Sequence, residues 1–189
     1  MKKLFTLAVA IALCSTMGFA QGLGLKGVGG SVGYVNSSYT SESLGGFVIG
    51  AHADLGEISP GFQLIPELQY WSVSKEYLPG YKYKISDFAI NGNVHYNIQT
   101  SGDIKPYVGA GLGLNFYSIT TETPYSGSFF GYSYGGSNSV SATRLGINLL
   151  GGANFAMGNM TISPEVRYVV SSDVNHFIIK VGVMVPLGK

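Results

Sequence analysis

After residue 20 the chain alternates apolar and polar positions with a period of two, the mark of strands that show a different environment on each face. Eight segments carry the pattern, at about 24–35, 46–55, 61–72, 85–97, 106–117, 142–155, 160–170 and 176–187. In the second, Phe47, Ile49, Ala51 and Leu55 oppose His52 and Asp54. In the third, Phe62, Leu64, Leu68 and Tyr70 oppose Gln63, Glu67 and Gln69. The seventh sets Ile162, Val166, Tyr168 and Val170 against Ser163, Glu165 and Arg167, and the eighth sets Phe177, Ile179, Val181 and Val183 against Lys180 and Gly182.

Alternation fits any half-buried sheet, so the deciding question is which face points inward. A soluble eight-stranded barrel, such as a periplasmic lipocalin-like one, needs an apolar interior. Here one face is aliphatic and aromatic throughout, while the other mixes Glu, Arg, Lys, Asn and His with many glycines. A lipid-facing wall around a narrow polar lumen accounts for both, and closure pairs every backbone donor and acceptor. The predicted fold is therefore all-β: an eight-stranded, antiparallel, up-and-down transmembrane β-barrel. Aromatic residues fall toward the strand ends, with Tyr34, Phe47, Tyr70, Phe88, Phe116, Tyr168 and Phe177 near one rim and Phe62, Tyr96 and Phe155 near the other. Two interfacial girdles have that distribution.

Composition supports the membrane reading. Charged residues are only 11% of the chain and aromatics 13%, against the roughly 25% charge of an average soluble protein. Lys2 and Lys3, the apolar run Leu4–Leu13 and the small residues up to Ala20 form a signal peptide over 1–20, which leaves 21–189 as one barrel domain. Cys14 leaves with that leader, so the exported chain has no disulfide framework and no thiolate nucleophile. Without Lys2 and Lys3 there are nine basic and ten acidic residues and no basic run, which argues against a nucleic-acid partner.

An even strand count puts both termini on the periplasmic side. Turns at 56–60, 98–105 and 156–159 are then periplasmic, and 36–45, 73–84, 118–141 and 171–175 are the exposed loops. The third exposed loop is the longest. Its Tyr125, Phe129, Phe130, Tyr132 and Tyr134 are candidate contacts for an external surface or host ligand.

The stretches Lys105-Pro106-Tyr107-Val108-Gly109-Ala110-Gly111-Leu112-Gly113 and Pro66-Glu67-Leu68-Gln69-Tyr70 resemble strands of the small outer-membrane barrels that include OmpX and the membrane domain of OmpA. Pro164-Glu165-Val166-Arg167-Tyr168 repeats the second pattern. Lys180, Gly182, Val185 and Leu187 are similar to the signal read by the outer-membrane assembly machinery, although Leu187-Gly188-Lys189 supplies no terminal aromatic. The resemblance implies a monomer in the cell outer membrane, surrounded by its lipid and inserted by that machinery. The chain stops at the eighth strand, so the peptidoglycan-binding domain that follows the barrel in full-length OmpA-like proteins is expected to be absent. Pro66 and Pro164 remove ladder donors, so a local bulge is expected at each.

Among the polar positions, Glu67, Arg144, Glu165, Arg167 and Lys180 fall on the lumen face, where an unpaired charge is costly. They are expected to form a structural ion-pair network. A turn at Ser172-Asp173 sets Glu165 opposite Lys180 and Tyr168 opposite Phe177. Eight strands enclose space that side chains fill, so no continuous pore is expected. The remaining alternative to plugging is a narrow proton or ion path.

Catalytic and cofactor sites are not expected. His176 has Ser171, Ser172 and Asp173 nearby, but residue 178 is Ile, which departs from the His-x-Ser spacing of barrel lipid A deacylases. A lipid-modifying enzyme is therefore the alternative function. His52, His95 and Asp54 lack the close spacing of a metal site, and no helix follows the glycines of 109–113 as a phosphate loop requires. Those glycines are expected to make room for large side chains from the opposite wall. The sequence thus predicts an integral outer-membrane barrel with a structural or loop-mediated adhesion role.

Overall fold

The computed structural model describes residues 23–39, 42–129, 132–172 and 174–187. The side chains at 38, 39, 42, 43, 77, 124–129 and 132–135 are outside that description. The segment 1–20, expected from the sequence to be a leader, therefore falls outside the described residues. Among the described residues there are nine strands: β1 (Gly27–Tyr39), β2 (Glu42–Asp54), β3 (Glu57–Ser59), β4 (Phe62–Leu78), β5 (Tyr81–Asn97), β6 (Ile104–Phe129), β7 (Tyr132–Met157), β8 (Met160–Ser171) and β9 (Asn175–Pro186). All pairings are antiparallel, and β2 pairs with β4 to close the ring; β3 is a three-residue ribbon on β4 outside it. Eight long strands thus make an up-and-down barrel with the described chain ends at one rim, here the terminal rim. The far rim carries the long hairpins.

The outward face is apolar. Phe47 is 83% exposed, and Val32, Leu112, Leu145 and Ile179 are all more than half exposed. Aromatic side chains line up across neighbouring strands because the register places them there: Tyr34 opposite Phe47, Tyr70 opposite Phe88, Phe88 opposite Phe116, and Tyr168 opposite Phe177. At the terminal rim Phe62 faces Tyr96 with ring centroids 4.9 Å apart. An outward aliphatic band between two aromatic rows is what a lipid bilayer selects.

The hairpins at the far rim differ from the expected loops. Strand pairing runs to Tyr39↔Glu42, Leu78↔Tyr81 and Phe129↔Tyr132, so most of 36–45, 73–84 and 118–141 is ladder. Thr and Ser on facing strands support the longest one, as in the 2.9 Å hydrogen bond between the Thr120 and Ser139 hydroxyls. Its register shifts between Thr123 and Gly127, where Gly136 takes a positive φ of 109°. These segments carry too few apolar residues to show alternation, which hid their strand character. At the terminal rim, Met157↔Met160 closes around Gly158-Asn159, with φ 63° at Gly158, a backbone conformation that suits glycine.

The two prolines do not produce bulges. Pro66 keeps register with Gly92 and Pro164 with Val181. Instead, the β2–β4 ladder stops at His52↔Glu67, and the β7–β8 ladder skips from Gly152↔Glu165 to Phe155↔Ile162. Each missing N–H falls where a ladder is open, so no extra residue is needed.

Candidate functional site

The lumen holds two unlike layers. Nearer the terminal rim, side chains from β4, β8 and β9 converge on a buried ion cluster. The β8–β9 register sets Glu165 opposite Lys180, and Lys180 Nζ lies 3.3 Å from Glu165 Oε1. The register leaves out what the closed ring adds: β4 and β8 stand four positions apart in the eight-strand circle, so they face each other across the lumen. Arg167 spans that gap, placing its Nη2 2.6 Å from Glu67 Oε2 and 2.8 Å from Glu165 Oε1. Lys180 also donates to Glu67. Two carboxylates and two cations therefore balance within one layer.

Neutral donors and acceptors complete the cluster. Tyr107 Oη donates to Glu165 Oε2 at 3.0 Å, Asn93 Nδ2 to Glu67 Oε2 at 3.5 Å, and Arg167 Nη1 to Gln69 Oε1 at 3.3 Å. His95 stacks on Tyr107 with centroids 4.5 Å apart and planes at 5°, fixing the phenol's direction. Buried charges of this kind contribute little net stability, yet removing one partner is expensive because the other stays uncompensated.

Arg144 is not placed with these groups. On β7 it stands six residues from Leu150, the partner of Arg167, or roughly 20 Å along the strand at ~3.3 Å per residue. It donates instead to the Thr143 carbonyl oxygen at the far rim. Lumen parity made it a cluster candidate; only the stagger of the strands separates the levels. Sequence reasoning also missed Gln69 and Tyr107 as partners, although both lie on the polar face of their segments.

Gly109, Gly111 and Gly113 make room for neighbours rather than for the opposite wall. A Cβ on Gly109 would sit 2.8 Å from Leu150 Cδ1, and Cβ atoms on Gly111 and Gly113 would collide with the Asn93 and Asn91 amides of β5. The small residue on β6 lets the adjacent strand's side chain lie across it. Asn148 uses that space, donating to Asn91 Oδ1 at 3.0 Å and Asn93 Oδ1 at 2.9 Å.

From the terminal rim a cavity of about 740 Å³ runs inward to the cluster. Lys26, His52, Gln63, Asn97 and Lys105 belong to its wall, and Glu67, Glu165, Arg167 and Lys180 form its floor. Among the described residues, no three His, Cys, Asp or Glu side chains are grouped to hold a metal ion.

Beyond the cluster the polar lumen expected from the sequence gives way to an apolar plug. Val35, Val48, Trp71, Val73, Ile85 and Ile178 fill it, each at most 1% exposed. These residues occupy lumen positions by strand parity, but at the far-rim ends of their strands the parity no longer separates polar from apolar. Embedded in this plug are His176 and Asp87. The His176 ring packs on Trp71 with centroids 5.0 Å apart, and Asp87 stands opposite Trp71 on β4 and Tyr117 on β6. Neither His176 ring nitrogen nor Ser171 Oγ has a side-chain hydrogen-bond partner, and Asp173 lies outside the described residues. Of the aromatic candidates on the long hairpin, Phe130 lies outside the described residues. Tyr125, Phe129, Tyr132 and Tyr134 are placed on its strands, with side chains outside the description.

A family model described as the outer membrane protein beta-barrel domain matches residues 6–185. Among curated proteins none matches the sequence. Similar solved structures include Neisserial surface protein A (NspA), 21% identical, covering 85% of this chain and 96% of that one with a TM-score of 0.61. A major outer membrane protein from Thermus thermophilus is 11% identical, covering 84% and 99%, with a TM-score of 0.54. Ail, the attachment invasion locus protein of Yersinia pestis, solved with the heparin analogue sucrose octasulfate, is 15% identical, covering 87% and 100%, with a TM-score of 0.50. At these identities the likeness is one of fold.

Proposed function

The chain belongs to the outer-membrane β-barrel family, and from that premise we propose that it is a non-enzymatic envelope protein whose β6–β7 hairpin contacts an external surface. The observation that carries this reading is the unequal length of the strands. β7 pairs with β8 only from Gly146 inward, and β6 pairs with β5 only as far as Glu122, yet β6 and β7 continue to pair with each other up to Phe129↔Tyr132. Residues 132–145 thus extend beyond β8 for on the order of 40 Å at ~3.3 Å per residue, and past Glu122↔Ser137 the hairpin continues as a two-stranded ribbon that membrane anchoring does not require.

The ribbon's sequence suits contact. Tyr125, Phe129, Phe130, Tyr132 and Tyr134 sit among Gly and Ser, which offers aromatic area on an adaptable backbone. Ail was solved with a heparin analogue; for this chain the partner class is left to an external or host surface. Export through cleavage after Ala20, insertion by the assembly machinery and a monomeric state in outer-membrane lipid complete the proposal. The test deletes residues 122–138 and confirms, from the different gel mobility of unboiled and boiled protein, that the barrel still closes. Loss of binding to cells or coated surfaces is expected; undiminished binding by the closed, shortened barrel would overturn the reading.

A further inference from the structure

The cavity, the ion cluster and the plug lie in series along the lumen. We propose that the lumen is a half-channel, open to water from the periplasmic rim down to the ion cluster, and that the layer around Trp71, rather than the ion pairs, is the seal that stops ions.

Three observations converge on this assignment. The cavity reaches the cluster from one side, and Glu67, Glu165, Arg167 and Lys180 line its inner end with at most 6% of each side chain exposed. Charged side chains next to water can exchange partners with it and pass ions, as rings of charge do in channels. The next layer is different in kind: Trp71, Ile85 and Ile178 leave no exposed surface, and constrictions of apolar residues block conduction by excluding water.

The plug also holds polar groups that are only loosely paired. Asp87 lies against the Trp71 indole and the Phe116 backbone, and His176 against the Val174 backbone, none of them at ideal hydrogen-bond geometry, and Ser37 Oγ and Ser171 Oγ have no partner. A purely apolar hole stays dry when a side chain is trimmed, whereas a hole lined by several free donors and acceptors fills with water. Removing the bulk of the plug therefore makes a wet passage, and Asp87, fully buried in its wall, gives that passage a preference for cations. The packing of a few large side chains separates a closed barrel from a cation-conducting one.

The test is KCl conductance of the full barrel in planar bilayers, with closure of each variant checked by gel mobility. The wild type and the cluster variant Glu165→Gln/Lys180→Met are expected to remain closed. Trp71→Ala/Ile85→Ala is expected to conduct with K⁺ favoured over Cl⁻, and adding Asp87→Asn should lower that preference by roughly twofold or more. Steady conductance in the cluster variant with the plug intact, or none in a folded plug variant, overturns the proposal.

A second measurement needs no large cavity. Residues 21–189 contain no cysteine, so Gln63→Cys in the cavity wall and Val48→Cys in the plug can each be exposed to a charged thiol reagent. Rapid reaction at 63 and a rate about tenfold or more lower at 48 is expected for a water-excluding layer. Equal rates would place water in the plug and refute the seal.

Discussion

The two layers of the lumen are held together by opposite physics. Around Arg167 nearly every polar atom has a partner, the charges sum to zero, and the geometry is set by hydrogen bonds. Around Trp71 the order is set by volume, and the polar groups present are only loosely paired. The difference teaches that a narrow barrel can be filled in two ways, by pairing or by packing, and that each has its own point of failure.

Arg167→Ala attacks the pairing layer most directly. It strands Glu67 and Glu165 with Lys180 as the one cation between them, so a loss of about 3–5 kcal/mol is expected in urea unfolding of the lipid-reconstituted barrel. Removing Glu67 in the same chain should recover part of it, because the orphaned charge goes too; a strictly additive double variant would contradict pairing as the organising force. In the packing layer, Ile85→Ala should cost about 2–5 kcal/mol through the cavity it opens, and Ile85→Met should keep most of the stability by conserving volume. If Met is as damaging as Ala, packing is not what orders that layer.

The smallest effect should have the reverse sign. Asp87→Asn takes a carboxylate with no cation beside it, held only loosely by Trp71 and the Phe116 backbone, out of an apolar surround, and a gain of about 1 kcal/mol is expected in the same assay. The equivalent change at Glu67 should destabilise, since that carboxylate is fully engaged. A loss at Asp87 would erase the contrast between the layers.

Much of the barrel was legible from period-two alternation, because lipid and lumen impose different chemistry on successive residues. The strand count, the aromatic rows and the Glu165–Lys180 register all follow from that pattern and from a short connection expected between β8 and β9. What alternation leaves out is the stagger that closure imposes. Arg144 and Arg167 share a face and look equivalent in sequence, yet the register sets them on different levels. The Arg167–Glu67 contact joins strands that are neither neighbours in the sheet nor close in the chain, so no local pattern encodes it. The plug escaped for another reason. Where both faces of a strand are apolar, as at Trp71 beside Tyr70 or Ile178 beside Phe177, alternation disappears and the inward residues look like more lipid-facing wall.

The bridge across the lumen also bears on the order in which the barrel is built. Glu67 belongs to the early part of the chain, Glu165 and Arg167 to the late part, and Lys180 to the final strand. Until that strand docks between β8 and β1, two carboxylates share one guanidinium and the layer carries a net negative charge. Only the complete ring is neutral. Closure with a strand missing, or with the last strand slipped by one residue so that Lys180 points outward, leaves that charge in place. Four side chains thus reach electroneutrality only when the right strands have met in the right register.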